Sequence, residues 1–382
     1  MTEFHFLQPL DVLYLRGNRL FADASTPSDA LMPPWPSMAA GALRSQILTT
    51  QGIDAGQFSG EQPLPEKLAR SLGTVKSPGS FRISHFLLAR VEDGMVQDIY
   101  HPLPADCLVT NNRSRIQHLQ PRRLSSQIQC SAPCGQVPVL RTDKQVKPDS
   151  GLWLNKAGIQ AWLDARSLEP EHLVESSQLW QVDPRLGIAL DGTSRTAIKS
   201  QLYTVDTVAV EQNIGFLVGV DGADGLIPEQ GILRLGGDGR GAEHVKLDWK
   251  LLEPDWRFIE NSKRFRMCLT TPGLFEQGWL PPGIHEKNGQ LNWEIGDFSA
   301  QLVSASVPRS GTVSGWDIAA NKPKLAMKSV SAGSVYWFDQ FEGDVAALGK
   351  LAREGLFSVS AYPDAKRRAE GFNNIMIAAW PY

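Results

Sequence analysis

The spacing of hydrophobic positions along this chain predicts both strands and helices. Apolar and polar residues alternate over 202–209 and again over 244–249, as expected for strands with one buried face. Ser37 begins a segment in which apolar residues recur every three or four positions, which predicts a helix over 37–48 with Ser37 as its N-cap. Both kinds of element therefore belong to the fold.

Similar patterns appear in each half of the chain. The other predicted elements are strands over 4–16, 214–220, 264–269, 357–359 and 375–380, and helices over 156–165 and 346–353. A strand, a helix, further strands and a closing strand in each half are typical of the split βαβ arrangement. We therefore expect an α+β fold of two ferredoxin-like domains, 1–250 and 251–382, with a β-hairpin region at about 186–220.

Residues 77–154 differ in character from the rest of the first half. Prolines punctuate this segment, and its arginines concentrate positive charge without helical or strand periodicity. These arginines are Arg113, Arg115, Arg122, Arg123 and Arg141. We expect an irregular insertion within the first domain.

A glycine-rich run at 233–242, with the sequence LRLGGDGRGA, is the most informative segment for function. Glycine permits positive φ and lets bare backbone amides approach a ligand closely. Arg240 adds a permanent cation beside those amides, so the loop is suited to an anion. The residues expected to form the contact are Gly236, Gly237, Gly239, Arg240 and Gly241.

The flanking pattern indicates which anion this loop binds. A loose dinucleotide motif, G-x-G-x-x-A, requires a helix after the loop, whereas 244–249 alternates as a strand. The phosphate-binding signature G-x-x-x-x-G-K followed by Ser or Thr occurs nowhere in the chain. A strand–loop–strand context therefore favours a nucleic-acid backbone, and we expect no cofactor. The open alternative is an ordinary tight surface turn.

Composition limits how such a site works. The 382 residues contain 38 Lys and Arg against 41 Asp and Glu, a formal net charge of −3. Any nucleic-acid site must therefore be local. Four scattered cysteines give no disulfide framework, and the chain shows neither a signal-peptide pattern nor an apolar run that spans a membrane. We expect a cytoplasmic protein without membrane contact.

The residue pattern predicts neither a metal centre nor a catalytic centre. Cys130 and Cys134, with His118 nearby in sequence, lack the second ligand pair that structural zinc requires. The seven histidines are dispersed, and none is paired with Lys or Tyr at a spacing that marks an acid–base site. We therefore expect no metal and no catalytic residue, with His244, beside the glycine loop, as the histidine to test first.

Several segments, taken in order, resemble the third-subunit family of the Cmr complex, a RAMP protein family of the type III-B CRISPR effector. The segments that carry the resemblance are 10–16, 40–44, 151–154, 185–191, 200–203, 235–241, 332–336 and 368–372. The likeness spans nearly the whole chain, and the ordered set is far more specific than any single motif. It implies RRM-like RAMP domains of the ferredoxin-like type and no catalysis.

The resemblance also implies a place at the base of a ribonucleoprotein in antiviral defence. Proteins of this family grip the repeat-derived 5′ tag of the guide RNA, beside a large polymerase-like subunit and the first backbone RAMP subunit. These are the expected partners, in a hetero-oligomeric assembly. A single-stranded tag needs amides and cations for its phosphates. Besides the glycine loop, the candidate RNA-binding residues are Arg16, Arg19, Arg44, Lys366, Arg367 and Arg368.

Two other functions stay open at this point. A RAMP-superfamily endoribonuclease that processes guide RNA would need an acid or base, usually histidine, close to the scissile phosphate. A small-molecule enzyme would bind a phosphorylated substrate at the glycine loop, with Asp238 and Glu243 as the nearby carboxylates. A lone carboxylate in a glycine turn more commonly caps backbone amides.

Overall fold

The computed structural model describes residues 2–15, 31–60, 62–75, 77–111, 113–125, 127–128, 130–140, 147–317 and 320–380. These residues form a mixed α/β protein in which the paired strands are antiparallel. Most strands belong to one eight-stranded and one six-stranded sheet. Within these ranges no helix is long and apolar enough to cross a lipid bilayer.

The first half of the chain builds the eight-stranded sheet and its surroundings. Its strands are β1 (Glu3–Pro9), β2 (Arg82–Glu92), β3 (Met95–Pro102), β4 (Cys107–Thr110), β5 (Arg115–His118), β6 (Gln120–Arg122), β7 (Val137–Val139), β8 (Leu152–Leu154), β9 (Leu173–Glu175), β10 (Trp180–Leu190), β11 (Ala197–Val210), β12 (Ile214–Asp221), β13 (Gln230–Arg234) and β14 (Gly241–Leu247). Its helices are α1 (Ser37–Thr50), α2 (Ala55–Ser59), α3 (Glu66–Leu72) and α4 (Lys156–Leu163). The sheet order is β13-β14-β1-β12-β2-β3-β8-β9.

Helix α1 packs on one face of this sheet because its apolar residues lie on one side. Leu43 and Ile47 are fully buried and share a core with Leu7 of β1. Phe4 and Phe6 of the same strand point to the opposite face and belong to a second core. The sheet is therefore covered on both faces at β1.

Two local predictions are wrong. Pro36, and not Ser37, is the N-cap residue of α1, and no side chain caps this helix. The proline ring favours the φ of −62° seen there, which already suits a helix. Phe357 and Val359 do not form a strand, because Leu356–Ser358 is a 3-10 helix. Alternation over so few residues does not separate a strand from a tight helical turn.

Residues 77–154 are more regular than their composition predicts. β2 and β3 form a hairpin within the large sheet, and β8 adds the next strand. The irregular part is therefore confined to 103–151, which contains the two small sheets β4–β5 and β6–β7. Buried apolar side chains such as Phe86 and Leu88 hold β2 in the sheet, and prolines fall only at its margins.

Strands β10 and β11 form a two-stranded arm outside the large sheets. Their register runs from Trp180 opposite Val210 to Leu190 opposite Ala197, with an irregularity after Ile188. The hairpin predicted within 186–220 thus lies at 180–210, and the chain then returns to the large sheet as β12.

The second half of the chain builds the six-stranded sheet. Its strands are β15 (Phe265–Leu269), β16 (Ile284–Lys287), β17 (Gln290–Ile295), β18 (Phe298–Ser306), β19 (Gly311–Val313), β20 (Trp316–Asp317), β21 (Lys322–Pro323), β22 (Met327–Ser329), β23 (Val335–Glu342) and β24 (Ile375–Ala379), and its helices are α5 (Trp256–Ser262), α6 (Val345–Glu354) and α7 (Ala365–Ala369). The sheet order is β16-β17-β18-β23-β15-β24. Phe338 stacks between Phe265 and Trp293 in its core, with ring centroids 4.8 and 4.6 Å away.

A buried arginine joins the two halves. Arg266 of β15 is 2% exposed, and its Nε donates to the carbonyl oxygen of Ala379 at 2.9 Å. Its Nη1 donates to Asp106 Oδ2 and its Nη2 to the carbonyl oxygen of Trp162, both at 2.6 Å. Because Asp106 and Trp162 belong to the first half, this cluster and the shared core fix the two sheets against each other.

Candidate functional site

The glycine-rich run forms a tight loop between β13 and β14, so the predicted strand–loop–strand context is confirmed. The amide of Leu235 donates to the carbonyl oxygen of Arg240 at 2.8 Å and closes the loop. Gly236 and Gly239 have φ values of 77° and 65°, and Asp238 has a φ of 59°. Glycine adopts this left-handed region without strain, and aspartate tolerates it.

The loop rests on residues 10–15, which follow β1. The amide of Gly237 donates to the carbonyl oxygen of Tyr14 at 3.0 Å. The amide of Leu10 donates to the carbonyl oxygen of Gly241, also at 3.0 Å. These two bonds attach both ends of the loop to one short segment. The shape of the loop therefore depends on residues far away in sequence.

The same short segment also contacts the β10–β11 arm. Leu13 and Val208 exchange backbone hydrogen bonds of 2.8 and 2.9 Å. Because residues 10–15 leave the sheet to contact the arm and the loop, the first strand ends at Pro9 and the predicted strand over 4–16 is too long. The glycine loop and the arm thus meet at this segment.

Arg240 is held within the protein. Its Nη1 donates to Asp11 Oδ2 at 2.5 Å, and its Nη2 lies 3.8 Å from Asp238 Oδ2. The guanidinium carbon lies 4.9 Å from the ring centroid of Tyr14, and the side chain is 27% exposed. Carboxylates therefore already offset the charge of this predicted RNA contact.

Three other residues of the loop, Gly236, Asp238 and Gly239, are exposed. Among the described residues, the backbone amides of Gly236, Asp238 and Gly239 have no hydrogen-bond acceptor. A Cβ atom built on Gly239 would meet nothing within 4 Å, so the space beside it is open. These three amides are therefore available to an outside anion.

Arg234 is a candidate contact that sequence reasoning missed. It is the last residue of β13, lies opposite Gly241 in the ladder and is exposed. No carboxylate of the described ranges forms an ion pair with it. The signal was present in the sequence, because Leu233 and Leu235 are buried and residue 234 must point to the other face of the strand.

One predicted RNA contact, Arg367, lies in an internal charge cluster with Glu370 and Lys324, whereas Arg44 donates to the carbonyl oxygen of Leu72 at 3.3 Å. Arg367 is buried, and its Nη1 donates to Glu370 Oε2 at 2.9 Å and to the carbonyl oxygen of Ser314 at 3.1 Å. Lys324 Nζ donates to the other oxygen of Glu370 at 2.5 Å. Burial lowers the pKa of the Arg44 guanidinium, and the Glu370 carboxylate opposes this shift. Arg367 and Lys324 balance a buried carboxylate, which explains their position.

The glycine segment before β24 packs inside the protein. Gly371 has a φ of 82°, and a Cβ atom there would lie 2.7 Å from Ile83 Cβ. Asn374 Nδ2 donates to the carbonyl oxygen of Ile83 at 3.3 Å. This segment therefore joins the second half of the chain to β2.

The remaining predicted contacts do not form one group. Lys366 is partly buried and Arg368 is exposed, both on α7. Arg16 and Arg19 lie outside the described residues, directly after the segment that supports the glycine loop. The described contacts thus unite 236–241 with residues 10–15, while Arg44 and α7 have partners elsewhere.

Four histidines of the large sheet are enclosed by its packing. His244, beside the glycine loop, is 2% exposed, and its Nε2 lies 3.1 Å from the carbonyl oxygen of Pro228. His5 is fully buried, and burial lowers its pKa to about 4. Burial also lowers the pKa values of His85 and His101 to about 4. Rings enclosed in this way are poorly placed for acid–base chemistry on an outside phosphate.

Among the described residues, the donor atoms that come closest to a metal-site arrangement include His118 but neither Cys130 nor Cys134. Asp106, Cys107 and His118 each place a donor atom within 4.8 Å of the others. Cys130 is exposed, and Cys134 packs against the core of the second sheet. Burial raises the pKa of the Cys107 thiol well above its usual range, and the carboxylate is already paired with the arginine of β15. We interpret this cluster as a hydrogen-bonded packing element.

Nearly the whole chain is similar to known CRISPR proteins. Residues 5–380 match the family described as CRISPR-associated protein (Cas_Cmr3). The chain belongs to this family. The resemblance inferred from the ordered sequence segments is thereby confirmed, and no curated protein matches this Cas_Cmr3 chain.

One solved structure shows the same fold. One chain of the cryo-EM structure of the Type III-B Cmr-beta bound to cognate target RNA and AMPPnP, state 1, is 15% identical, with 98% of this Cas_Cmr3 chain and 96% of that chain covered and a TM-score of 0.52. A chain of the cryo-EM structure of the Type III-B Cmr-beta bound to cognate target RNA is 16% identical, with 87% and 86% covered and a TM-score of 0.45.

Proposed function

We propose that this Cas_Cmr3 chain is a non-catalytic RNA-binding subunit of the type III-B CRISPR effector complex, gripping the repeat-derived 5′ tag of the guide RNA. It bridges the large polymerase-like subunit and the backbone RAMP subunits. The observation that carries the proposal is the glycine loop, where the amides of exposed residues and the exposed Arg234 lie beside the segment that leads to Arg16 and Arg19.

The loop offers the groups that hold an RNA strand by its backbone. Phosphate oxygens accept hydrogen bonds from free amides such as those of Gly236, Asp238 and Gly239, and these contacts carry no base information. Arg234 adds a charge-assisted contact, which is about twice as strong as a neutral one. Many modest contacts of this kind position a short tag without acting on it.

The surroundings of His244 favour binding over cleavage. An endoribonuclease needs a side chain within hydrogen-bond reach of the proton that it moves. His244 points to the α1 face of the sheet, where Gly231 lies against its ring, and it is buried, whereas Gly236, Asp238 and Gly239 of the loop are exposed. The small-molecule alternative lacks support too, because Asp238 has Arg240, and no titrating partner, beside it.

We further propose that each large sheet is a ferredoxin-like RAMP unit, which would divide the chain near residue 251. In the first sheet, β14, β1, β12 and β2 are adjacent in that order, and in the second sheet β24, β15, β23 and β18 are. If the four strands of each set are numbered in chain order, their order across the sheet is 4-1-3-2 in both sheets. α1 follows the first strand of one set, and α6 connects the third and fourth strands of the other.

Fluorescence anisotropy with the purified protein tests the proposed function. One labelled RNA begins with the repeat-derived tag, and a control RNA has the tag scrambled. We expect tighter binding of the tagged RNA, an affinity that falls as salt rises, and roughly tenfold weaker binding by Arg234→Ala. Lys287→Ala removes an exposed lysine from β16 and is the matched control.

Three results would contradict the proposal. Equal binding of tagged and scrambled RNA excludes tag recognition, and an affinity independent of salt excludes phosphate contacts. Cleavage of repeat RNA by the wild-type protein, abolished in His244→Ala, would establish the nuclease instead. RNA extracted from the complex co-expressed with its genomic neighbours should share one repeat-derived 5′ end.

A further inference from the structure

Residues 103–151, the irregular part of the first half, carry a charge opposite to that of the rest of the chain. They contain five arginines and two lysines against three aspartates and no glutamate, which gives a net charge of +4. Because the whole chain has a net charge of −3, the rest of it carries −7. Positive charge is therefore concentrated in this one segment.

The described acidic groups of the segment are already engaged. Asp106 is paired with the buried Arg266 of β15. Asp149 Oδ2 accepts a hydrogen bond from the amide of Arg113 at 3.0 Å, and the guanidinium of Arg113 pairs with Glu175 at 3.0 Å. Neither aspartate forms an ion pair with another cation of the segment in the part of the chain that the structure describes.

Four cations remain exposed, without an ion pair among the described residues. These are Arg115, Arg122, Arg123 and Lys147, and we call the first three, which lie close together along the chain, the basic strip. Arg115 begins β5 and Arg122 ends β6, which follows directly along the chain. At about 3.3 Å per residue, the Cα atoms of Arg115 and Arg123 are at most roughly 26 Å apart. The strip therefore suits an elongated polyanion.

Backbone hydrogen bonds attach the strip to the body of the protein. The amide of Leu119, between β5 and β6, donates to the carbonyl oxygen of Asp106 at 2.7 Å. The amide of Gln136, beside β7, donates to the carbonyl oxygen of Val303 in β18 at 3.2 Å. The flanking strands β3 and β8 lie toward the opposite side of the sheet from β13 and β14. The strip is thus an ordered surface distinct from the glycine loop.

We propose that the basic strip binds the sugar–phosphate backbone of an RNA segment outside the 5′ tag. Residues 103–151 contain no Phe, Tyr or Trp, so the strip has no aromatic platform on which bases stack. Cations alone contact phosphates and carry no sequence information. Binding at the strip is therefore independent of sequence and strongly dependent on salt.

Anisotropy with the full-length protein tests this proposal, using two untagged single-stranded RNAs, oligouridine and a mixed sequence. The strip variant is R115A/R122A/R123A, and the control R257A/K287A/K350A removes the same charge from exposed residues of the second half. We expect the strip variant to lose affinity for both RNAs on the order of tenfold. Its slope of log affinity against log salt should fall by about 2, at about 0.7 per phosphate contact, and the control should keep the wild-type slope.

Unchanged affinity and slope in the strip variant would overturn the proposal, as would a clear preference for one of the two RNAs. RNA binding that survives while an acidic protein partner is lost from the complex would assign the strip to protein contact instead. R115K/R122K/R123K keeps the charge and should retain most of the affinity; its failure to bind despite an unchanged melting temperature would also count against phosphate contact. Arg234 lies outside the strip, so if the strip variant loses affinity while Arg234→Ala keeps the wild-type affinity for tagged RNA, the glycine-loop proposal fails and the strip proposal does not.

Discussion

Arg240 and Arg234 lie on the same loop but have different surroundings. Arg240 pairs with Asp11 and stacks on Tyr14, whereas Arg234 is exposed and has no carboxylate partner within the described ranges. The sequence favoured Arg240 because it lies inside the glycine run. Its partner Asp11 is 229 residues away along the chain, a distance at which no local pattern gives information.

We expect the two arginines to differ in mutational effect. Arg240→Ala should lower the free energy of unfolding by about 1 kcal/mol, because it removes a partly exposed ion pair and a cation–π contact. Arg234→Ala should change it by less than about 0.5 kcal/mol, as is usual for an exposed side chain. Urea denaturation followed by circular dichroism measures both. Equal destabilisation by the two variants would contradict this division.

The buried histidines predict that stability falls in mild acid. Burial lowers the pKa of His5 from 6.5 to about 4, so the unfolded chain binds a proton more readily than the folded one. Stability is therefore complete above pH 6.5 and decreases as the pH falls toward about 4. Melting temperatures at pH 7 and pH 5 measure the loss, which should be smaller in His5→Leu. The same loss in His5→Leu and wild type would exclude His5 as a contributor.

At the scale of elements, the glycine loop allows a matched comparison. Gly236 and Gly239 both have positive φ, but a Cβ atom on Gly236 would lie 3.2 Å from the carbonyl oxygen of Tyr14, whereas Gly239 faces open space. We expect Gly239→Ala to cost about 1 kcal/mol from backbone strain, and Gly236→Ala to cost more because it adds this contact. Urea denaturation compares them. A milder effect at Gly236 would show that the loop does not rest on Tyr14.

Sequence patterns predicted those elements whose conformation is determined by residues nearby in sequence. Helix α1 and the strands around the glycine loop follow from periodicity over a few residues, and both are confirmed. Arg367 shows the limit of such patterns. Its sequence neighbours suggest an exposed basic run, but Glu370 and a carbonyl oxygen of residue 314 bury its charge. Glu370 is only three residues away, but the packing of α7 against residue 314, far away in sequence, also contributes to the burial of Arg367.

At the scale of the whole molecule, the buried pair of Asp106 and Arg266 should make the two sheets unfold together. Asp106→Asn leaves the buried guanidinium without its carboxylate, and removing one partner of such a pair costs about 3–5 kcal/mol. We expect tryptophan fluorescence and circular dichroism to give coincident urea transitions in the wild type. Separate transitions in the wild type would show that the sheets are independent.

The double variant Asp106→Leu with Arg266→Met is the control for this pair. Replacing both charges with apolar groups leaves no buried charge unpaired, so much of the lost stability should return. Stability as low as in Asp106→Asn would show that packing against Trp162, and not the charge, is decisive at this junction.

The attachment of the glycine loop to residues 10–15 has a consequence for synthesis on the ribosome. The segment that supports the loop is made before the loop itself, and Tyr14 and Arg240 are separated by 226 residues. A nascent chain that ends before β14 contains residues 10–15 but lacks the complete loop that packs on them. Contacts between residues so far apart in sequence form late in folding. The loop is therefore completed only when the first large sheet closes, so an incomplete chain does not present a formed site to RNA.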